Sequence, residues 1–407
     1  MKNLAFAAAC AAPIVLTSFA VDAGGFALRE RSANAQGASF AGSTAAANDV
    51  TYMLFNPAAL RSVESIEAGG AFSLILPDIT GTAQVNGQDA RPGVVGLVPA
   101  SAFGYRVNED LVIGIGAYSP FGLTTDYDEN FIGAFDGIHS ELISLAVSPT
   151  IAYDVTDSIT IGASGQIIYN DPQLTGATGI NTVTGEIQET KLDATEWEWS
   201  AAFGVLIDVT DDTTIGATLH SGYDITTGGT LRSFAGNTPI ELQGDASINL
   251  PATISAGFKH RFNDEWSIMG EVEFARWSEF DEIRVDVAAL APNNDIGEVT
   301  NYKDSWFFAL GAEYKWSDEL TLRGGVAYDQ TPTQLNGRSI RIPDADRIWA
   351  SVGLTYQLSE SMKLDAGYSL IFFMDEQARL LNGPAAGTLI DYEGQTHILS
   401  VGGTLTF

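Results

Sequence analysis

The chain has 407 residues, of which 45% are apolar and 17% charged, and a formal net charge of −31. That acidic balance, with no basic patch, excludes a nucleic-acid partner, because a phosphate backbone is held by clustered lysine and arginine. Apolar residues diluted by 42 glycines suit alternating strands better than the compact cores of two or three soluble domains.

Residues 1–23 read as a secretory signal: Lys2 supplies the positive start, Leu4 to Val21 the apolar stretch, and Val21-Asp22-Ala23 a small-residue cleavage site. Pro13 interrupts a run barely long enough to span a bilayer, and Cys10, the only cysteine, lies inside the apolar stretch rather than after it. With Lys2 and Asp22 removed, 19 Lys and Arg face 50 Asp and Glu, and no thiol remains for a disulfide or a nucleophile. Residues 24–60 alternate nowhere. They combine small side chains with the Arg29-Glu30-Arg31 cluster and cannot build a core of their own. Phe40 and the run Tyr52-Met53-Leu54-Phe55 distinguish them from a solvated linker, and in Asn56-Pro57-Ala58 the proline fixes φ and closes the stretch. We expect these residues to form a plug, or hatch, inside a barrel made by residues 61–407.

From there the pattern has period two. Ile348, Ala350, Val352, Leu354, Tyr356 and Leu358 share one face, while Trp349, Ser351, Gly353, Thr355 and Gln357 share the other. Strands are expected near 64–76, 96–107, 110–120, 142–155, 158–170, 197–209, 212–226, 251–262, 265–277, 304–316, 319–330, 346–358, 361–373 and 394–407. A soluble sandwich would alternate in the same way. Segment length and the even number fit strands that cross a bilayer obliquely. Tight turns such as Thr156-Asp157 and Asn263-Asp264-Glu265 alternate with long connections (77–95, 121–141, 171–196, 227–250, 278–303, 331–345, 374–393), as periplasmic turns and outer loops do. Trp197, Trp199, Trp266, Trp277, Trp306, Trp316 and Trp349 fall near strand ends, where an aromatic girdle would meet headgroups. The final strand ends on Phe407, like a barrel-assembly signal. The fold class is therefore an all-β transmembrane antiparallel barrel of about 14 strands, placed in the bacterial outer membrane.

The stretch Gly25–Glu30, Gly37, Asn56-Pro57-Ala58, Leu250-Pro251, Arg276-Trp277-Ser278, Tyr302-Lys303-Asp304 and above all residues 322–356 resemble the FadL-type outer-membrane transporters of long-chain fatty acids and hydrocarbons. The resemblance spans the mature chain and is weakest in the outer loops. It implies fourteen strands, an N-terminal hatch and passive uptake of hydrophobic molecules. It further implies a wall opening at an inward kink in the third strand, here Ile115 to Gly122. Pro120 cannot donate to a ladder, Phe121 follows it and Gly122 tolerates a bend, although an ordinary strand end would look the same. Pro149, on the next strand, is a second missing donor, and the two are expected to weaken one seam. The resemblance places a basic residue on the substrate carboxylate at Lys303, while strand parity points Lys303, Lys315, Arg323 and Lys363 into the lumen. A second basic contact has no counterpart, since Tyr169-Asn170-Asp171-Pro172 carries no cation, which leaves room for a neutral hydrocarbon.

The cluster Arg338, Arg341, Asp344, Asp346 and Arg347 reads as a structural network near the outer entrance. No Gly-x-Ser-x-Gly elbow occurs, the four histidines lack metal spacing, and Asp126–Asn130 mimics only the start of a calcium loop, so neither catalytic residues, a metal nor a cofactor is expected. The expected partners are a hydrophobic small molecule, outer-membrane lipid and lipopolysaccharide, and the barrel-assembly machinery, with the protein working as a monomer. A non-selective porin or adhesion barrel is the reading from a different class, and the two part at the lumen: water-filled in one, plugged with apolar pockets in the other.

Overall fold

The structure is a computed structural model that describes residues 24–184, 186–287, 298–374 and 376–407, with the side chain of Val285 left aside. The expected leader, residues 1–23, and with it Cys10, lies outside the described residues. Fourteen long strands form the wall: β1 Ile66–Ala83, β2 Gly96–Arg106, β3 Leu111–Tyr118, β4 His139–Thr156, β5 Ile159–Ile180, β6 Glu196–Thr210 and β7 Thr213–His220. The second half comprises β8 Thr253–Arg261, β9 Trp266–Ala275, β10 Ser305–Lys315, β11 Leu320–Asp329, β12 Arg347–Ser359, β13 Met362–Phe373 and β14 Leu389–Thr406. Each pairs antiparallel with the next, and β14 returns to β1 over a ladder from Glu67↔Thr406 to Ala83↔Ile390. Closure removes the sheet edges that would otherwise carry unpaired backbone into lipid.

All fourteen expected segments coincide with wall strands. The short turns are built as read: Asn108 and Asn263 each accept from the second and third backbone N–H groups after them, so the side chain imitates a backbone turn. On β12 the face of Ile348, Val352, Leu354, Tyr356 and Leu358 is exposed and the face of Trp349 and Ser351 is buried. An apolar face turned outward and a polar or aromatic one turned inward is the inverse of a soluble sheet, and it fits a hydrocarbon surround.

Three expectations need correction. The connections 171–196 and 227–250 contain β-structure: β5 runs on to Ile180 and pairs with Ile187–Ala194, and Tyr223–Ala235 pairs with Thr238–Leu250. These extensions stand beyond the apolar belt, so no lipid-facing alternation betrays them; their small core is Leu192, Leu231, Ala246 and Val287. Two of the seven tryptophans are not girdle residues, since Trp277 and Trp349 are buried in the lumen while the other five are exposed. Finally, parity fails at Lys303. Asn301 adopts a left-handed φ of 47° and β10 begins only at Ser305, so Tyr302 is buried and Lys303 exposed.

Residues 24–63 are almost wholly buried and touch the wall around its circuit. A short helix Ala33–Gln36 lies against β12, β13 and β14, and 3₁₀ turns at Val50–Leu54 and Pro57–Ser62 pack on β1 to β6. Small residues are required because backbone meets backbone. A Cβ on Gly204 would stand 1.9 Å from Asn56 Oδ1, and one on Gly162 would stand 2.3 Å from the Ala58 nitrogen.

Candidate functional site

Ladder registers locate a break in the pairing of the wall. β2 and β3 pair from Arg106↔Val112 to Ser101↔Ala117, and there the ladder stops among the described residues. Beyond it, residues 96–100 keep β1 as a partner but have none on the other side. The chain after Tyr118 turns away and pairs with the N-terminal segment instead. Leu28 N–H donates to Pro120 O at 2.9 Å, Gly122 N–H donates to Phe26 O at 2.9 Å, and Ala27 faces Phe121 between them. Pairing with β4 resumes at Gly122↔Ile143, so three residues (119–121) oppose two and the strand kinks. Above the break, Gly93 meets Thr125 in an isolated antiparallel bridge, so the interruption of pairing does not run the whole height of the wall.

Pro120, Phe121 and Gly122 thus lie at the bend, all buried. Pro149 does not share that seam. It is exposed and pairs with Ile115 of β3, and the interruption beside it is on the β5 side, where the ladder skips from Val147↔Ile167 to Thr150↔Ser164. The seam shared by two prolines is therefore two interruptions on different ladders, because adjacent antiparallel residues send their N–H groups to opposite neighbours.

Behind the bend lies an open cavity, whose empty space of about 990 Å³ includes solvent at its mouth. Pro120, Phe121 and Tyr118 form one side of it, and Leu28, Phe40 and Phe307 give it apolar surface. Phe26 is held near its outer end by Trp277 at 5.0 Å, Phe280 at 5.3 Å and Phe121 at 5.9 Å between ring centroids. Gly25 has φ +72°, and a Cβ there would stand 2.7 Å from the Trp277 ring, so the chain can enter this cluster only as glycine. The N–H groups of Gly24 and Gly25 donate to Asp329 and Asp344 at 3.1 and 2.9 Å. Arg347 holds the same two acids at 3.7 and 3.0 Å. The arginine-aspartate cluster read as an outer network therefore reaches into the barrel and seats the first described residues.

The polar groups of the cavity are engaged in an orderly way. Arg29 pairs with Glu273 at 2.9 Å and lies 3.8 Å above the Phe307 ring. Glu271 accepts from the Thr44 hydroxyl and, at 3.1 Å, from its backbone N–H. Burial pushes the Glu30 carboxyl up to about 7, against two hydrogen bonds from backbone N–H groups that work the other way. Arg31 lies 4.5 Å over the Tyr118 ring and donates one N–H to Leu54 O at 2.8 Å. Lys303 does not line the cavity, nor does Lys315, which pairs with Asp318 at the turn. Arg323 faces inward as expected but lies deeper, with Lys259 on Glu313 at 2.7 and 2.5 Å. Sequence reasoning recorded Arg29-Glu30-Arg31 only as a charge cluster. The signal that could have singled it out is two of 19 scarce cations set in a stretch of small and apolar residues.

Asn56, Pro57 and Ala58 stand apart from the cavity, toward the short-turn rim. Asn56 Nδ2 donates to Thr44 O at 2.7 Å and Val205 O at 3.1 Å, and its Oδ1 accepts from Ala58 N–H at 3.0 Å. Proline at the first helical position costs no donor there. Arg61 adds a bidentate pair to Asp208 at 2.7 and 2.9 Å.

Comparison with known proteins agrees with this geometry. Residues 14–407 match the family model described as outer membrane protein transport protein (OMPP1/FadL/TodX). The long-chain fatty acid transport protein of Escherichia coli O6:H1 is 27% identical over 90% of this chain and 91% of its own. Outer membrane protein P1 of Haemophilus influenzae is 25% identical over 89% and 88%. Among solved structures, a Pseudomonas aeruginosa FadL homologue superposes with a TM-score of 0.83 at 21% identity, covering 94% of this chain and all of that one. The Pseudomonas putida toluene transporter TodX reaches a TM-score of 0.73 at 18% identity, covering 95% and 99%. The chain belongs to the OMPP1/FadL/TodX family of outer-membrane transport proteins, which carry hydrophobic compounds, and its place is the outer membrane.

Proposed function

We propose that the protein takes up long-chain fatty acids by passive transfer through the cavity and out sideways through a window beside the bent third strand. A greasy solute gains roughly 25 cal/mol for each Å² of apolar surface it buries, which a water-filled pore cannot offer. The observation that carries the reading is the bend itself, because the segment that lines the cavity, Pro120 and Phe121, is the segment that leaves β2 unpaired. Residues 24–60 act as a hatch whose N-terminal leg covers the bend and whose Asn56-Pro57-Ala58 end anchors it. Pro149 loosens the far side of β4, and Lys303 serves as an outer contact for an incoming carboxylate, ahead of the cavity. Lipopolysaccharide meets the long connections, lipid meets the apolar belt, the strand ending at Phe407 serves the barrel-assembly machinery, and the working unit is a monomer without a catalytic step.

A second reading has one observation in its favour. No lysine or arginine of the wall lines the cavity, both cavity arginines belonging to the segment inside it, and this suits neutral aromatic or alkane hydrocarbons. The test is uptake of a labelled long-chain fatty acid beside a labelled aromatic hydrocarbon, in cells lacking their own transporters. It includes Val98→Cys with Pro120→Cys, positions that would face each other if the β2–β3 register continued. Sideways exit predicts that oxidising this pair stops uptake and a reductant restores it. Undiminished uptake by the cross-linked protein would sink the route, and entry of the hydrocarbon alone would favour the neutral substrate.

A further inference from the structure

The cavity holds two arginines, and they are not equivalent. Arg29 is neutralised: Glu273 lies 2.9 Å and Asp329 4.0 Å from its guanidinium. Arg31 has no carboxylate within 4.0 Å among the described residues. Of its five N–H donors one is given to Leu54 O, and its buried Nε has no partner. Two acids feel its charge: Glu273, already engaged by Arg29 and Ser255, and Glu30, which accepts from the Arg29 backbone N–H and makes no ion pair with Arg31 within 4.0 Å. A half-buried cation with donors to spare, its Nε buried and unpartnered and its guanidinium over an aromatic ring at the cavity lining, is an incomplete site whose missing member is an anion.

We propose that Arg31 is the headgroup site for an alkyl carboxylate, so that the cation recognising the acid is carried by the hatch and not by the wall. This rests on the uptake reading above and names the residue that would give it acid specificity. The carboxylate would take the free edge of the guanidinium, and the chain would lie along Tyr118, Phe121 and Phe40 toward the bend. Tyr118, on which Arg31 stacks, is the last residue of β3 before the strand turns inward. Headgroup, hatch and bend therefore meet at one place. An acid bound there draws on the contact between the N-terminal leg and the bent strand, whereas a neutral hydrocarbon does not engage it.

The experiment uses the full-length protein, purified in detergent, with binding of labelled palmitate and of its methyl ester measured at pH 8. Wild type should hold palmitate at least about tenfold more tightly than the ester, as a charge-assisted hydrogen bond to a half-buried cation implies. Arg31→Met and Arg31→Gln should each abolish that preference, while Arg31→Lys should keep part of it and Lys315→Ala, at an exposed turn, all of it. Folding of each variant is checked by its unheated mobility on a denaturing gel. A preference that survives both neutral variants, or that disappears in Lys315→Ala, overturns the assignment. Equal wild-type binding of acid and ester also overturns it and leaves hydrophobic uptake standing. Binding of neither removes the uptake reading and this site together.

Discussion

The two ends of the segment inside the barrel are held by different physics. The end at residues 44–62 is interlocked with the wall. Glycines of β5, β6 and β7 let its backbone approach within contact distance, and Asn56 ties three backbone groups together. The end at residues 24–31 is held by rings, two acids and a two-bond ladder to a strand that has itself left the wall. Backbone interlock is all or none, since no rotamer change relieves it. Ring contacts and a short ladder can be exchanged one at a time for contacts with a guest. In the function proposed above, the first end is the anchor and the second the piece that a ligand would displace.

The contrast can be broken most severely at the anchor. Gly162→Val should cost the whole barrel about 3 kcal/mol, the upper range for overpacking, because the new Cβ would fall 2.3 Å from the Ala58 backbone nitrogen. Heat-resistant mobility on unheated gels would be lost or its transition lowered, and unchanged resistance would mean that the anchor yields. Leu28→Pro removes the N–H donated to Pro120 O. Its effect on the barrel should stay below about 2 kcal/mol, because the loss is capped by the free energy of local opening. Hydrogen exchange should quicken over residues 24–31 and not over 44–62; equal quickening would erase the distinction.

The smallest effect is one of pH. Glu30 has an ordinary carboxyl value of 4.5 that burial raises to about 7, so the folded leg keeps a proton that the released leg gives up. Its seating should therefore be strongest below pH 4.5, weaken as pH rises through this window and level off above 7. Relaxation around the charge brings the effect to on the order of 1 kcal/mol. Protection over residues 24–31, taken relative to intrinsic exchange at each pH, should be lower at pH 8 than at pH 5 in wild type and equal at the two pH values in Glu30→Gln. A wild type with no pH dependence removes Glu30 from the account.

Residue order alone determined the barrel. Period-two alternation with its apolar face outward fixed strand number and the alternation of short and long connections, because hydrocarbon demands an apolar side chain at every second position and a closed ladder between. It also marked Asn56-Pro57-Ala58, since proline and asparagine carry their backbone preferences wherever they stand, whereas the bend at Pro120 came from the family resemblance, because an ordinary strand end carries the same residues. It could not say which partner the bent strand takes, since Leu28 and Pro120 are brought together only when the segment is inside the barrel. Nor could it rank the cations. Parity holds along a regular strand, as at Arg323, and fails where one left-handed residue, Asn301, precedes Lys303. Arg29 and Arg31, two positions apart, differ in whether an acid from a strand some 240 residues away reaches the guanidinium. Charge can be read from sequence because it belongs to a residue; whether a charge is spent or free belongs to its neighbours, and the tertiary structure alone assigns those.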